Sequence, residues 1–167
     1  MRVLVTAASR HGSTTEIASA IGRALADSRI AFDVIAPEDV ASLERYDAVI
    51  LGSAVYMGRW LEPATAFADR FAEALPERRV WLFSSGPLGD PPKPAGDPVN
   101  VAAIEASTHA IEHRVFAGSM DKRELGFGEK LVIAGVRAPY GDFRPWDEIA
   151  GWAQGIARAL EAVPVAS

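Results

Sequence analysis

The chain has 167 residues, 49% hydrophobic and 23% charged, with a net charge of -5 and no cysteine. Length and composition predict a single domain, residues 1–167, with a substantial core. The acidic balance argues against a nucleic-acid footprint or a polybasic membrane anchor, and the missing thiols exclude disulfides, thiol catalysis and Cys-ligated metal or iron–sulfur sites. No apolar stretch reaches the roughly 18–20 residues of a membrane span, and the chain opens on a core-type strand and not on a basic, apolar leader, so the cytoplasm is the expected location.

In chain order, Val3, Leu4 and Val5 form a short apolar run that predicts a central parallel strand covered on both faces. A helix is predicted from about Ser13, where Ile17, Ile21 and Leu25 recur four apart. The loop between them carries hydroxyls at Ser9, Ser13, Thr14 and Thr15, with Gly12 permitting close backbone approach. The helix start adds free N–H groups and the positive end of its dipole, so a phosphate monoester fits there without a lysine. The alternative is a well-capped strand-to-helix turn, since Ser and Thr are ordinary capping residues. Neither Gly-Lys-Ser/Thr nor Gly-x-Gly-x-x-Gly occurs, which argues against a nucleoside triphosphatase and a simple NAD enzyme.

Further strands are predicted at Ala31–Ala36, Tyr46–Ser53, Arg79–Ser85 and His113–Gly118. Helices are predicted over Leu61–Leu75 and Trp146–Leu160, where apolar residues share one face. Strands alternating with helices imply right-handed crossovers and a doubly wound α/β sandwich, whose ligands bind beyond the carboxyl ends of the strands. The loop Gly52–Trp60 sets backbone donors and acceptors beside the aromatics Tyr56 and Trp60, a surface suited to a planar heteroaromatic ring, or else an anchor for the next helix. The loop Ser84–Asp90 is a second glycine-bearing edge. Asp90–Pro98 holds four prolines and reads as an extended surface loop, and Lys122–Val136 is either an amphipathic helix weakened by Gly126 and Gly128 or a flap over a site. Asp147 and Glu148 suit the first turn of the last helix.

Three ligand-type loops after the first, third and fourth strands, together with the tail Gly141-Asp142-Phe143-Arg144-Pro145-Trp146, resemble the flavodoxin-like fold across essentially the whole chain. Within it, the chain most resembles the flavodoxin-domain proteins grouped with menaquinone-dependent protoporphyrinogen oxidases. His11 departs from the hydroxyl usual at its place in flavodoxins. The resemblance implies a five-stranded parallel sheet of order 2-1-3-4-5 with helices on both faces, and FMN as cofactor. It implies the FMN phosphate on Ser9, Arg10, His11, Gly12, Ser13 and Thr14. The isoalloxazine would lie between Ser53, Ala54, Val55, Tyr56, Met57 and Gly58 on one side and Ser85, Gly86, Pro87, Leu88, Gly89 and Asp90 on the other.

Two functions follow from the resemblance. One is an FMN oxidoreductase similar to protoporphyrinogen IX dehydrogenase (quinone), taking hydrogen from a tetrapyrrole or another organic donor and passing electrons to a quinone. The other is a flavodoxin-type carrier between redox protein partners, which the acidic balance favours. A flavodoxin-shaped scaffold without flavin is the third reading, disfavoured by the hydroxyls of the first loop. No residue is named as an acid or base: His11 would stand by the phosphate, while His109 and His113 are expected in solvated or capping roles near the fifth strand.

Overall fold

Sheet strands here alternate their side chains between two apolar layers. In the computed structural model, which describes residues 1–86, 97–121, 123, 125, 126, 130 and 140–162, strands β1 (Arg2–Ala8), β2 (Ala31–Val34), β3 (Ala48–Tyr56), β5 (Arg79–Ser85) and β6 (Glu112–Phe116) pair in parallel in the order β2-β1-β3-β5-β6. Counting only these five, the order is the expected 2-1-3-4-5. The additional short strand β4 (Arg59–Trp60) folds back antiparallel on the end of β3.

Val3, Val5, Ala48, Ile50, Trp81 and Phe83 face helices α1 (Ser13–Asp27) and α4 (Trp146–Glu161), which contribute Ile17, Ile21, Leu25, Ile149, Trp152 and Ile156 to that core. The intervening residues Leu4, Val49, Leu51, Val80 and Leu82 face α2 (Glu62–Arg70) and α3 (Val101–Thr108). A period of two along strands that are apolar on both sides is what a doubly covered parallel sheet requires. The flavodoxin-like architecture is thus present, with helices on both faces.

Several boundaries differ from the sequence expectation, the second strand ending at Val34 and not at Ala36 among them. The third strand begins at Ala48 and runs on to Tyr56, because Val55 and Tyr56 pair with Trp60 and Arg59 across a two-residue turn. The helix expected over 61–75 stops at Arg70, and a short 3-10 turn, Leu75–Glu77, follows; Pro76 disfavours helical geometry in the residue before it. The fifth parallel strand ends at Phe116. A small ribbon, β7 (Ser119–Met120) against β8 (Gly141–Asp142), precedes α4. Most of Lys122–Val136 and of the proline-rich loop lies outside the described residues. Among the described residues, no helix is long and apolar enough to cross a membrane, and no group of three or more His, Asp or Glu could hold a metal.

Candidate functional site

The chain leaves β1 at Ala8 and enters α1 at Ser13, turning at Gly12 with φ of 86°, a left-handed conformation that favours glycine. Among the described residues, nothing lies within 4 Å of where a Gly12 side chain would project, so they leave the space over this turn open. Gly12 C=O accepts the first helical bond from Glu16 N–H at 3.0 Å, and Ser9 Oγ accepts from Thr14 N–H at 3.3 Å. Ser9 therefore caps part of the helix start, as the simpler reading of this loop expects. It does not account for Thr14, which is fully buried and whose Oγ1 has no hydrogen-bond partner among the described residues. A buried hydroxyl without a partner is disfavoured unless something else comes to meet it.

The second loop is a hairpin. Met57 at φ 52° and Gly58 at φ 72° form the two-residue connection between β3 and β4, the backbone pattern of a type I′ turn. Met57 is 72% exposed at its tip. Tyr56 is half-buried, and the Arg10 guanidinium of the first loop stands 4.2 Å from its ring centroid, so the two loops meet through a cation–π contact. Ser53 is fully buried beneath the hairpin: its Oγ accepts from Leu61 N–H at 2.9 Å and donates to Ala54 O at 2.8 Å. Trp60 is likewise an anchor in the core, 4% exposed.

The third loop is described only at its start. Ser85 is buried, and Gly86 backs onto Val55, where a side chain would come within 3.2 Å of the Val55 carbonyl oxygen. Pro87, Leu88, Gly89 and Asp90 lie outside the described residues. The carboxyl ends of β1, β3 and β5 thus carry Ser9–Thr14, Ala54–Gly58 and Ser85–Gly86 side by side. A groove of about 450 Å³ lined by Thr15, Glu16, Ser19, Arg23 and Trp146 shares no residue with these loops.

Arg144 is the feature that sequence reasoning left without a role. Its fork donates to both carboxylate oxygens of Asp142, at 2.8 and 2.7 Å. Nη1 donates to the Ser13 carbonyl at 3.1 Å and to the Glu16 carboxylate, and the guanidinium packs 4.5 Å from the Trp146 ring centroid. The side chain is only 9% exposed, and its hydrogen bonds hold the Asp142 carboxyl below the ordinary aspartate range against the opposing effect of burial. The tail is thereby tied to the first turn of α1, where the open loop sits. The spacing Asp142-x-Arg144 was visible in the sequence, but its target, 128 residues earlier, was not.

His113 is not solvated, contrary to expectation. Its side chain is 4% exposed and its Nε2 lies 2.8 Å from Ser84 Oγ, which accepts from Trp60 Nε1 at 2.7 Å. His109 keeps the capping role, ending α3 at φ 52°.

Compared with protein families, residues 4–144 match the flavodoxin domain model. The chain belongs to the flavodoxin domain family. The same fold recurs in a flavodoxin from the domain Archaea, 18% identical, with a TM-score of 0.67 over 96% of this chain and 99% of that one. It recurs in oxidised flavodoxin 1 from Bacillus cereus, 16% identical, with a TM-score of 0.64 over 95% of this chain and 98% of that one. Rubredoxin:oxygen oxidoreductase from Desulfovibrio gigas contains it as well, 15% identical with a TM-score of 0.66, this chain covering 36% of that larger protein. No curated protein matches the chain. Membership of the flavodoxin domain family points to FMN as cofactor and to flavin-based electron transfer as the chemistry. In this order of strands the cofactor belongs at the switch point between β1 and β3, and the open turn at Gly12 with the partnerless Thr14 hydroxyl fits a phosphate there.

Proposed function

We propose that this flavodoxin domain protein is an FMN-dependent electron carrier between protein partners. The observation that carries the reading is the first loop: a helix N-terminus with an open left-handed glycine and a buried hydroxyl that lacks a partner, at the switch point of the sheet. The N–H groups of the first turn of α1 and the hydroxyls of Ser9, Ser13 and Thr14 would hold the FMN phosphate, the helix dipole favouring its charge. Ala54–Gly58 and the segment from Ser85 to Asp90 would flank the isoalloxazine, Tyr56 offering its ring and Arg10 a positive charge beside it. Bound FMN supplies the redox chemistry, while these residues fix its orientation and electrostatic surroundings.

Two observations support the choice of a carrier over an oxidase. Solved structures of similar length that share this fold include flavodoxins, from the domain Archaea and from Bacillus cereus. The net charge of -5 suits steering toward basic patches on redox partners.

The test is direct. The purified protein, given excess FMN and then desalted, is expected to retain the visible flavin bands and, under stepwise anaerobic dithionite, to reduce in two resolved one-electron steps. A protein that releases all added FMN refutes the cofactor assignment. One that retains it and reduces in a single two-electron step refutes the carrier.

A further inference from the structure

Beneath the hairpin runs a buried chain of hydrogen bonds that neither FMN binding nor electron transfer calls for. Trp60 Nε1 donates to Ser84 Oγ at 2.7 Å, and Ser84 Oγ stands 2.8 Å from His113 Nε2. An indole N–H can only donate, and His113 Nε2 is the one acceptor within reach of the Ser84 hydroxyl proton among the described hydrogen bonds, so the arrangement that satisfies every proton has Ser84 donating to Nε2. The imidazole is then neutral with its proton on Nδ1, facing Asp97 Oδ1 at 3.5 Å. Trp60 is the strand residue two places after the Met57–Gly58 turn. Its own N–H donates to Asn100 Oδ1 at 3.0 Å, and Val99 N–H donates to Gly58 O at 2.9 Å. The turn is therefore fastened twice to residues 99 and 100, and once through the indole to β5 and β6.

We propose that His113 is a positioning residue of this hairpin: as a neutral acceptor it terminates the Trp60–Ser84–His113 chain, and its protonation loosens the Met57–Gly58 turn. Protonated His113 becomes a donor at Nε2, so the Ser84 oxygen accepts from both Trp60 and His113 and its own proton is turned away without an acceptor among the described hydrogen bonds, in a fully buried residue. The groups facing the imidazole are Ser84 from β5, the Trp60 ring edge-on at 6.4 Å from β4, Asp97 from the segment before α3, and Glu105 from α3. Burial holds its protonation below the ordinary histidine range, while the Asp97 and Glu105 carboxylates oppose this. Its strand neighbour Glu112 lies on the other face of the sheet, accepting from Trp152 Nε1. The consequence for FMN rests on the proposed function, since the turn is placed there beside the isoalloxazine.

The experiment compares wild type with His113→Gln, whose amide oxygen keeps an acceptor that does not titrate, and uses Trp60→Phe to isolate Trp60 emission. Emission of the FMN-free proteins is followed between about pH 8 and 5, the range in which histidine changes charge. FMN dissociation constants are measured at both ends. Because the phosphate of FMN titrates near pH 6, the readout is the difference between the two proteins. Trp60 emission is expected to titrate in wild type and to stay flat in His113→Gln. FMN affinity is expected to fall at low pH about tenfold further in wild type than in His113→Gln, the scale of one orphaned buried donor. Emission that is flat in wild type, or that titrates equally in both, overturns the proposal. So does an emission difference with FMN affinities that run in parallel. If wild type takes up no FMN, the proposed function fails, and the emission comparison alone decides whether His113 holds the hairpin.

Discussion

Replacing Arg144 with Ala should loosen both the fold and the FMN site, because one side chain joins the tail to the first turn of α1. The substitution removes the two-pronged contact with Asp142, the bond to Ser13 O and the contacts with Glu16 and Trp146. Asp142 and Glu16 side chains are 47% and 65% exposed and will rehydrate, so these ion pairs contribute about 0.5 kcal/mol each. The bond to the Ser13 carbonyl adds about 1 kcal/mol, and the stacking on a partly exposed Trp146 about 0.5. A total loss of about 2.5 kcal/mol corresponds to a fall in Tm of about 5–10 °C for a chain of this size. Calorimetry and urea unfolding of the FMN-free protein read this directly. Since Ser13 belongs to the phosphate turn, the FMN dissociation constant should also rise about tenfold, or about 1.4 kcal/mol. Arg144→Lys, which keeps the charge but not the planar fork, should recover less than half of the stability. The Asp142 carboxyl is held below its ordinary value of 3.8, so its stabilising contribution is complete above that pH and is lost as pH falls through the lower folded value. The gap between wild type and Arg144→Ala should therefore narrow below about pH 4. A variant that melts within about 1 °C of wild type at neutral pH and binds FMN equally well would refute the tie between tail and loop.

Thr14→Val removes the partnerless buried hydroxyl at nearly constant volume, so the FMN-free protein should gain about 1 kcal/mol in urea unfolding while FMN affinity drops about tenfold. An unchanged affinity would show that this hydroxyl does not meet the phosphate. Met57→Asn should stabilise the hairpin by about 0.5–1 kcal/mol in thermal unfolding, since asparagine accepts the left-handed conformation that Met57 adopts at φ 52°; a lower Tm would contradict the turn assignment. Gly52→Ala should cost about 2 kcal/mol, because its Cβ would lie 2.2 Å from the Phe83 ring in a tightly packed interior. Equal stability in urea would mean that the ring moves aside freely.

The sheet and the first loop were legible because their signals are local. An apolar run, a hydroxyl-rich turn and residues four apart on α1 act over a dozen positions, and Ile17, Ile21 and Leu25 are all fully buried as their spacing predicts. The continuation of β3 beyond Ser53 to Tyr56 was missed because Ala54, Val55 and Tyr56 resemble a loop until Trp60 and Arg59 are seen to pair with Val55 and Tyr56. The two polar clusters were harder to read. His113 lies in a strand with charged neighbours, and only the parallel register that sets Leu82 beside His113 and Val115 beside Ser84 brings its ring to the Ser84 hydroxyl. Arg144 meets Ser13 through tertiary packing alone. Such contacts carry no periodicity, so a single sequence does not disclose them. Of the third loop, only Ser84, Ser85 and Gly86 fall among the described residues, with Ser85 and Gly86 at the carboxyl edge of β5.

The position of β1 inside the sheet bears on how quickly the molecule can assemble. It pairs on one side with β2, Val3 beside Phe32, and on the other with β3, Val3 beside Ala48. Every such pairing must close a crossover loop before any ladder bond forms, so the chain entropy is lost early and the compensating contacts come late. α4, more than a hundred residues further along, packs against α1 through Ile149, Trp152 and Ile156. The turn at Gly12 thus reaches its final setting only when the most distant parts of the sequence have met, and folding through slow, non-local closure is the expected kinetic signature of this topology.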